Sequence, residues 1–285
     1  FPQLVAGPID RASNLLPQLS GKIQLSPEKI HSALFLILWG YFKKVAIADN
    51  VAQIANIVFE NYATNTEVPV FVGLVAFTIQ IYCDFSGYSD IARGIARLMG
   101  IELMVNFRLP YFALSPSDFW ERWHISLSTW LRDYVYIPLG GNRQSVVKTY
   151  RNLMITMLIG GLWHGAAWNF VLWGAYHGTA LILYRMFDRP KQTYRRFPIF
   201  SNMLRWCMMI TITLYGWLLF RSNSFEQIVT MSVQILNPTI SSFTPLFKVV
   251  VYTLPLVIMQ IAQAVTKDLL IFTKLSLWLQ ILLSA

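Results

Sequence analysis

Two histidines set forty residues apart are the side chains of this 285-residue chain best suited to chemistry. His164 lies in LIGGLWHGAAWNF (158–170), within a stretch that carries no charged residue from Asn152 to Tyr184. An imidazole in a segment of hydrocarbon character is costly unless it has a partner or a task. With a near-neutral reference pKa it is the usual general base for a hydroxyl proton. Glycines on both sides of the Trp163-His164 pair let backbone or ligand approach closely. The bland alternative is a core histidine bonded to a carbonyl where a helix breaks. His124, in FWERWHISLSTWLRD (119–133), is the natural second member, although alone it reads equally well as a solvated surface histidine. His177, thirteen residues past His164, would point away from it by a rotation near 220° on a continuous helix, and is read as core.

A second polar group sits in IYCDFSGYSDIARG (81–94), where Asp84 and Asp90 follow an apolar run. They either orient a catalytic group and line a substrate path, or mark a helix end with Asp84 or Ser86 capping the next helix. Arg93, Arg97 and Lys43-Lys44 are their candidate partners. No phosphate-binding glycine loop, dinucleotide fingerprint, zinc-spaced Cys/His cluster or G-x-S-x-G nucleophile elbow is present. The chemistry expected is therefore histidine-based, with no bound metal or cofactor. Cys83 and Cys207 are too few and too far apart for a disulfide framework and read as buried thiols.

The elements that must hold these residues are those of a membrane protein. Hydrophobic residues make up 55% of the chain and charged ones 13%, against roughly 25% charge in a soluble domain; the mean hydropathy is +0.47. Aromatic residues reach 15%, with ten tryptophans, as interfacial belts require. The net charge of +9 sits in short loops between apolar runs, which points to helix orientation and lipid headgroups and not to nucleic acid. Residues 1–30 are broken by Pro and Gly, and Ser26-Pro27-Glu28 reads as a helix start. Apolar runs follow at Ala33–Phe42 and Val45–Phe59 (cut by Lys43-Lys44), Val68–Cys83 (ended by Asp84), Asn152–Tyr184, Met203–Phe220, Phe243–Val265 and Leu269–Leu283. Several fall short of the ~20 residues of a full crossing, which predicts broken, tilted or re-entrant helices. The opening at FPQL, with no leader pattern, is read as the start of a segment whose preceding helices are missing.

Charge bias refines one piece. Arg143, Lys148 and Arg151 precede Asn152–Tyr184, and Arg185, Arg189, Lys191, Arg195, Arg196 and Arg205 follow it. If both basic loops are cytoplasmic, 33 residues must enter and return, so a hairpin is expected with Gly160-Gly161 and Gly165 as its bend. Residues 117–134 read instead as one amphipathic helix, capped by Ser115-Pro116 and Asp118. Its aromatic stripe (Phe119, Trp120, Trp123, Trp130) would leave His124 at the edge, facing an aqueous funnel.

The segments FPQLVAGPI (1–9), YCDFSGYSDIARG (82–94), FWERWHISLSTWLRDYVYIPLGGNR (119–143) and GGLWHGAAWNFVLWGAYHG (160–178) together resemble the membrane-bound O-acyltransferases (MBOAT). The likeness is to the bacterial branch acting on alginate and teichoic acid; LGGNR favours the alginate type. It covers residues 1–223 and fades to hydrophobicity beyond. The resemblance implies an all-α polytopic fold, one transmembrane domain over 1–285, with helices ringing a central funnel and 224–285 adding C-terminal membrane helices. It places the family's catalytic histidine on His164 and its second histidine on His124, with Trp123, Trp163, Asp84, Asp90, Arg132 and Asn142 as funnel-lining or supporting residues. It further implies O-acyl transfer, in the main acetyl transfer, from an acyl thioester such as acetyl-CoA or an acyl carrier. The acceptor would be an exopolysaccharide such as alginate, reached directly or by relay to an extracytoplasmic partner acetyltransferase. The setting would be the bacterial inner membrane, beside polysaccharide biosynthesis and export proteins. D-alanyl transfer to teichoic acid is the nearest alternative; a transporter or a purely structural export subunit is the competing class.

Overall fold

The computed structural model describes residues 7–21, 23, 25–65, 67–187, 198–236 and 243–274. Among these the protein is helical throughout, with no strand. The Pro/Gly-rich entry holds only the nine-residue α1, Ala12–Ser20, with Pro17 inside it. Ser26 then caps α2 (Pro27–Tyr41) by accepting from Lys29 N at 3.3 Å, with Pro27 in the first turn.

Lys43-Lys44 does not cut the helix. A π-helical stretch, Phe42–Ala48, carries α2 without interruption into α3 (Asp49–Glu60). Nor does Asp84 end the next one: α4 runs unbroken from Val70 to Leu98, which excludes the capping role considered for Asp84 and Ser86. Both corrections have one physical cause. Charges in mid-helix are tolerated when a neighbouring helix neutralises them: Lys43 Nζ lies 2.7 Å from Asp90, and Lys44 Nζ 2.8 Å from Asp84. Gly40 and Gly87 let the helices come this close, since a Cβ on Gly40 would sit 2.6 Å from the Gly87 carbonyl oxygen.

Four helical rods are long and apolar enough to cross a membrane: Pro27–Glu60, Val70–Leu98, Ile199–Arg221 and Thr244–Thr266. This is a membrane protein. The second of them, α4, is the hub. Its most apolar stretch is 61% buried inside the protein, against 33% for each of the others. Around it, α3, α9 (Pro198–Arg221), α10 (Phe225–Leu236) and α11 (Thr244–Thr266), numbered in chain order with those introduced below, share one core. Val51, Phe77, Leu218, Met231 and Val249 all belong to it. Gln227 of α10 donates to the Phe59 carbonyl at 2.7 Å, so helices beyond the family motifs pack into the same body. Cys83 is buried on α4, but Cys207 is exposed on α9, contrary to expectation.

The charge-free segment is a hairpin of α7 (Val146–His164) and α8 (Trp168–Phe187). Its tip is Gly165–Ala167; Gly160-Gly161 lie within α7 and serve packing rather than bending. A Cβ on Gly161 would strike the Phe170 carbonyl oxygen, and one on Gly174 would lie 2.5 Å from that of Met157, so the two backbones nearly touch. Neither helix is among the four long, apolar rods. Of the basic loop beyond, Arg189, Lys191, Arg195 and Arg196 lie outside the described residues. So does FPQLVA (1–6), while the expected Leu269–Leu283 helix is described only to Lys274, with one 3₁₀ turn at Ile271–Lys274.

Candidate active site

The site is built where a broken helix meets the tip of the hairpin. The expected cap at Ser115 is present: its Oγ accepts from Asp118 N at 3.1 Å, and Asp118 accepts from Leu114 N at 3.0 Å. The helix it starts, however, is not one amphipathic unit. It divides into α5 (Pro116–Arg122) and α6 (Ile125–Leu131), with Trp123 extended and His124 left-handed at φ 43°, ψ 54°. A left-handed non-glycine residue costs about 1 kcal/mol. A bracket from residues 106–108 offsets it: Arg108 N donates to Arg122 O and Ile125 N to Asn106 O, both at 3.0 Å. The Asn106 side chain completes the clamp. Its Oδ1 accepts from Ser126 N (3.2 Å) and Ser126 Oγ (2.6 Å), and its Nδ2 donates to Ser89 on α4 at 3.2 Å. Each such bond is worth about 1 kcal/mol net, and more if one buried partner is removed.

The break turns His124 inward. It is 4% exposed and not on an open funnel wall, with its ring 4.5 Å from Phe85 and 5.9 Å from Trp163 (centroid distances). Burial, and secondarily the nearness of His164, push the His124 pKa down to about 3, so at neutral pH it is an uncharged imidazole. His164 is the last residue of α7. Its ring lies 5.0 Å from Trp163, 5.2 Å from Trp173 on α8 and 5.0 Å from Phe220 on α9. The two imidazoles therefore flank Trp163, itself 54% exposed. Asn169, in the first turn of α8, donates to the Phe220 carbonyl at 3.0 Å and ties α9 to the hairpin.

The remaining expected residues fall differently. Trp123 is a core residue, 4% exposed, stacked on Phe119 at 5.7 Å and 4.8 Å from Trp217. Asp84 and Asp90 are taken up by Lys44 and Lys43. Arg132 is half exposed and bonds its neighbour Asp133 at 2.8 Å. Asn142 is exposed on a loop held instead by buried Asn152, which donates to the Leu139 and Gly141 carbonyls at 3.1 Å. None of Asp84, Asp90, Arg132 or Asn142 joins the histidines. His177 is core as expected, though not by the continuous-helix geometry. The hairpin puts it behind Trp173 at 4.9 Å, with Phe119 and Trp120 around it. Asn106, Phe85, Trp173 and Phe220 were missed. Only Asn106 left a signal, a lone amide in the non-helical apolar stretch LMVNFRLP. Among the described residues no group of three His, Cys, Asp or Glu could hold a metal ion.

A family model, "membrane-bound O-acyltransferase family", matches residues 1–222. The chain belongs to the MBOAT family. The protein named "Probable alginate O-acetylase AlgI" of Azotobacter vinelandii is 44% identical over 228 residues, covering 79% of this chain and 44% of that one. "Peptidoglycan O-acetyltransferase" of Helicobacter pylori is 41% identical, covering 79% and 43%. "Teichoic acid D-alanyltransferase" of Bacillus subtilis is 28% identical, covering 79% and 60%. The chain thus spans less than half the length of the first two relatives. Both histidines lie within the matched MBOAT region.

Proposed function

We propose that the full-length protein is a bacterial inner-membrane O-acyltransferase that acetylates an exopolysaccharide, and that its domain extends over residues 1–285. The observation that carries this is the pair of imidazoles flanking Trp163 in a chain of this family. His164 acts as general base on the acceptor hydroxyl, a role contributing about 10²–10⁴-fold in rate, and His124 positions the acceptor or relays its proton. The Trp173 indole N–H, buried beside His164 with no acceptor among the described residues, is a donor for the carbonyl oxygen of the acyl group. The donor is an acyl thioester, acetyl-CoA or an acyl carrier; its C–S bond breaks as the ester C–O bond forms, the thiol leaves with the proton taken from the hydroxyl, and the acyl group reaches the polymer directly or through an extracytoplasmic partner acetyltransferase. Identities of 41–44% to O-acetylating relatives against 28% to a D-alanyl transferase favour acetyl over D-alanyl.

The test is His164→Ala in the full-length protein, with acetyl content and secretion of the polymer measured in the producing strain. Loss of acetyl groups with normal secretion is expected. Normal acetylation with lost secretion would instead make the protein an export component.

A further inference from the structure

Away from the histidines, the charges at the crossing of α2 and α4 are unevenly paired. Lys43 sits mid-span in the rod Pro27–Glu60, its side chain 3% exposed. A buried cation there is costly and marks a site by default. Asp90 is the carboxylate it meets, at 2.7 Å, and Asp90 is shared with Arg93, whose Nη1 is 3.4 Å from its other oxygen. Arg97, the next basic residue along α4, is taken up separately by Glu102 through Nε (2.9 Å) and Nη2 (2.8 Å). The outward Lys44 bonds Asp49 and Asp84, all at least one-third exposed. Lys43 and Arg93 therefore share one carboxylate, while Lys44 holds two, so the four cations and four carboxylates of the cluster are unevenly paired.

The shared pair faces a cavity of about 40 Å³ between α2, α4 and α11, which Lys43, Asp90, Arg93 and Gln260 line. The volume suits about three waters or one phosphate-sized group. Two donors at its wall have no acceptor among the described residues: Arg93 Nε, and Nε2 of Gln260, a residue only 7% exposed. Unused buried donors normally signal a missing ligand or water. The rim is apolar, with Trp39, Leu256, Leu269 and Leu270, which suits hydrocarbon beside a charged head.

We propose that Lys43, Arg93 and Gln260 bind one phosphate-type anion at the α2–α4–α11 junction, supplied by an anionic phospholipid headgroup or by free phosphate. The two unused donors, and the two cations that share one carboxylate, are each met by such a group, and an arginine is suited to it. A bound headgroup would lock α11 onto the hub helix.

The test uses the purified full-length protein in phosphatidylcholine nanodiscs, reading the unfolding midpoint. In one arm phosphatidylglycerol replaces part of the phosphatidylcholine; in the other inorganic phosphate is titrated, with ionic strength matched by sodium chloride. The wild type is expected to gain midpoint with at least one probe. A response to phosphatidylglycerol alone identifies a lipid headgroup, and a response to inorganic phosphate identifies the free anion. Gln260→Leu, which breaks no ion pair, and Arg93→Gln should each weaken the response at least about tenfold in apparent affinity. No response to either probe, or an undiminished one in Gln260→Leu, overturns the site. Neither outcome bears on acyl transfer, so this proposal can fail while the proposed activity stands.

Discussion

The histidine pocket and the α2–α4 charge cluster both place ionisable groups among apolar residues, and they solve the problem in opposite ways. At the cluster each carboxylate has a cation within 2.8 Å. At the pocket neither imidazole forms a salt bridge among the described residues; each is walled by rings, Phe85 and Trp163 for one, Trp163, Trp173 and Phe220 for the other. Paired charges hold helices together. Imidazoles walled by aromatic rings are instead kept from carrying charge by burial. The difference teaches that an isolated polar residue in a membrane segment is read by its partner, not by its presence.

His164→Ala should break the comparison most sharply on the catalytic side. Acyl transfer by the full-length protein is expected to fall about 10²–10⁴-fold with the unfolding midpoint within a few degrees of wild type; an unchanged rate would remove His164 from the chemistry. Lys43→Met should do the reverse in stability. Asp90 keeps Arg93 as its partner, so the loss of the Lys43 bond costs about 1.5–3 kcal/mol, read as a lowered unfolding midpoint, and adding Asp90→Leu, which strands Arg93, should deepen it. Asn106→Ala sharpens how the pocket is positioned. It loosens the turn at His124, and about a tenfold drop in kcat with KM unchanged is expected, where simple loss of folded protein would leave the rate per folded molecule intact. Asp84→Asn should be the mildest. Its pair with Lys44 is part exposed and worth under about 1 kcal/mol, so acyl transfer within about twofold of wild type is expected; a large loss would return Asp84 to the site.

What could be read from the chain was local. The caps at Ser26 and Ser115 depend on contacts three or four residues apart. The hairpin follows from a charge-free stretch too short for two crossings, and His164 stands out because nothing near it is charged. The break at His124 could not be read, since its cause lies in Asn106 and Arg108, about fifteen to twenty residues back, bonding across the turn. The aromatic stripe of 117–134 fits one helix as well as two, so periodicity could not decide. Asp84 and Asp90 looked like site residues because their cations lie 40 and 47 residues earlier, on another helix.

The sequence by itself determined that this is a helical membrane protein with two histidines in distinctive aromatic settings, because hydrophobicity, charge bias and motif are properties of neighbours along the chain. Only the tertiary structure decided that His124 is buried beside Trp163, that Trp123 is core, and that the acids on α4 serve ion pairs. Those outcomes depend on which helices meet α4, and close approach at glycines such as Gly40 and Gly87 settles that in three dimensions. The chemistry was written in the residue types; their partners were assigned by packing.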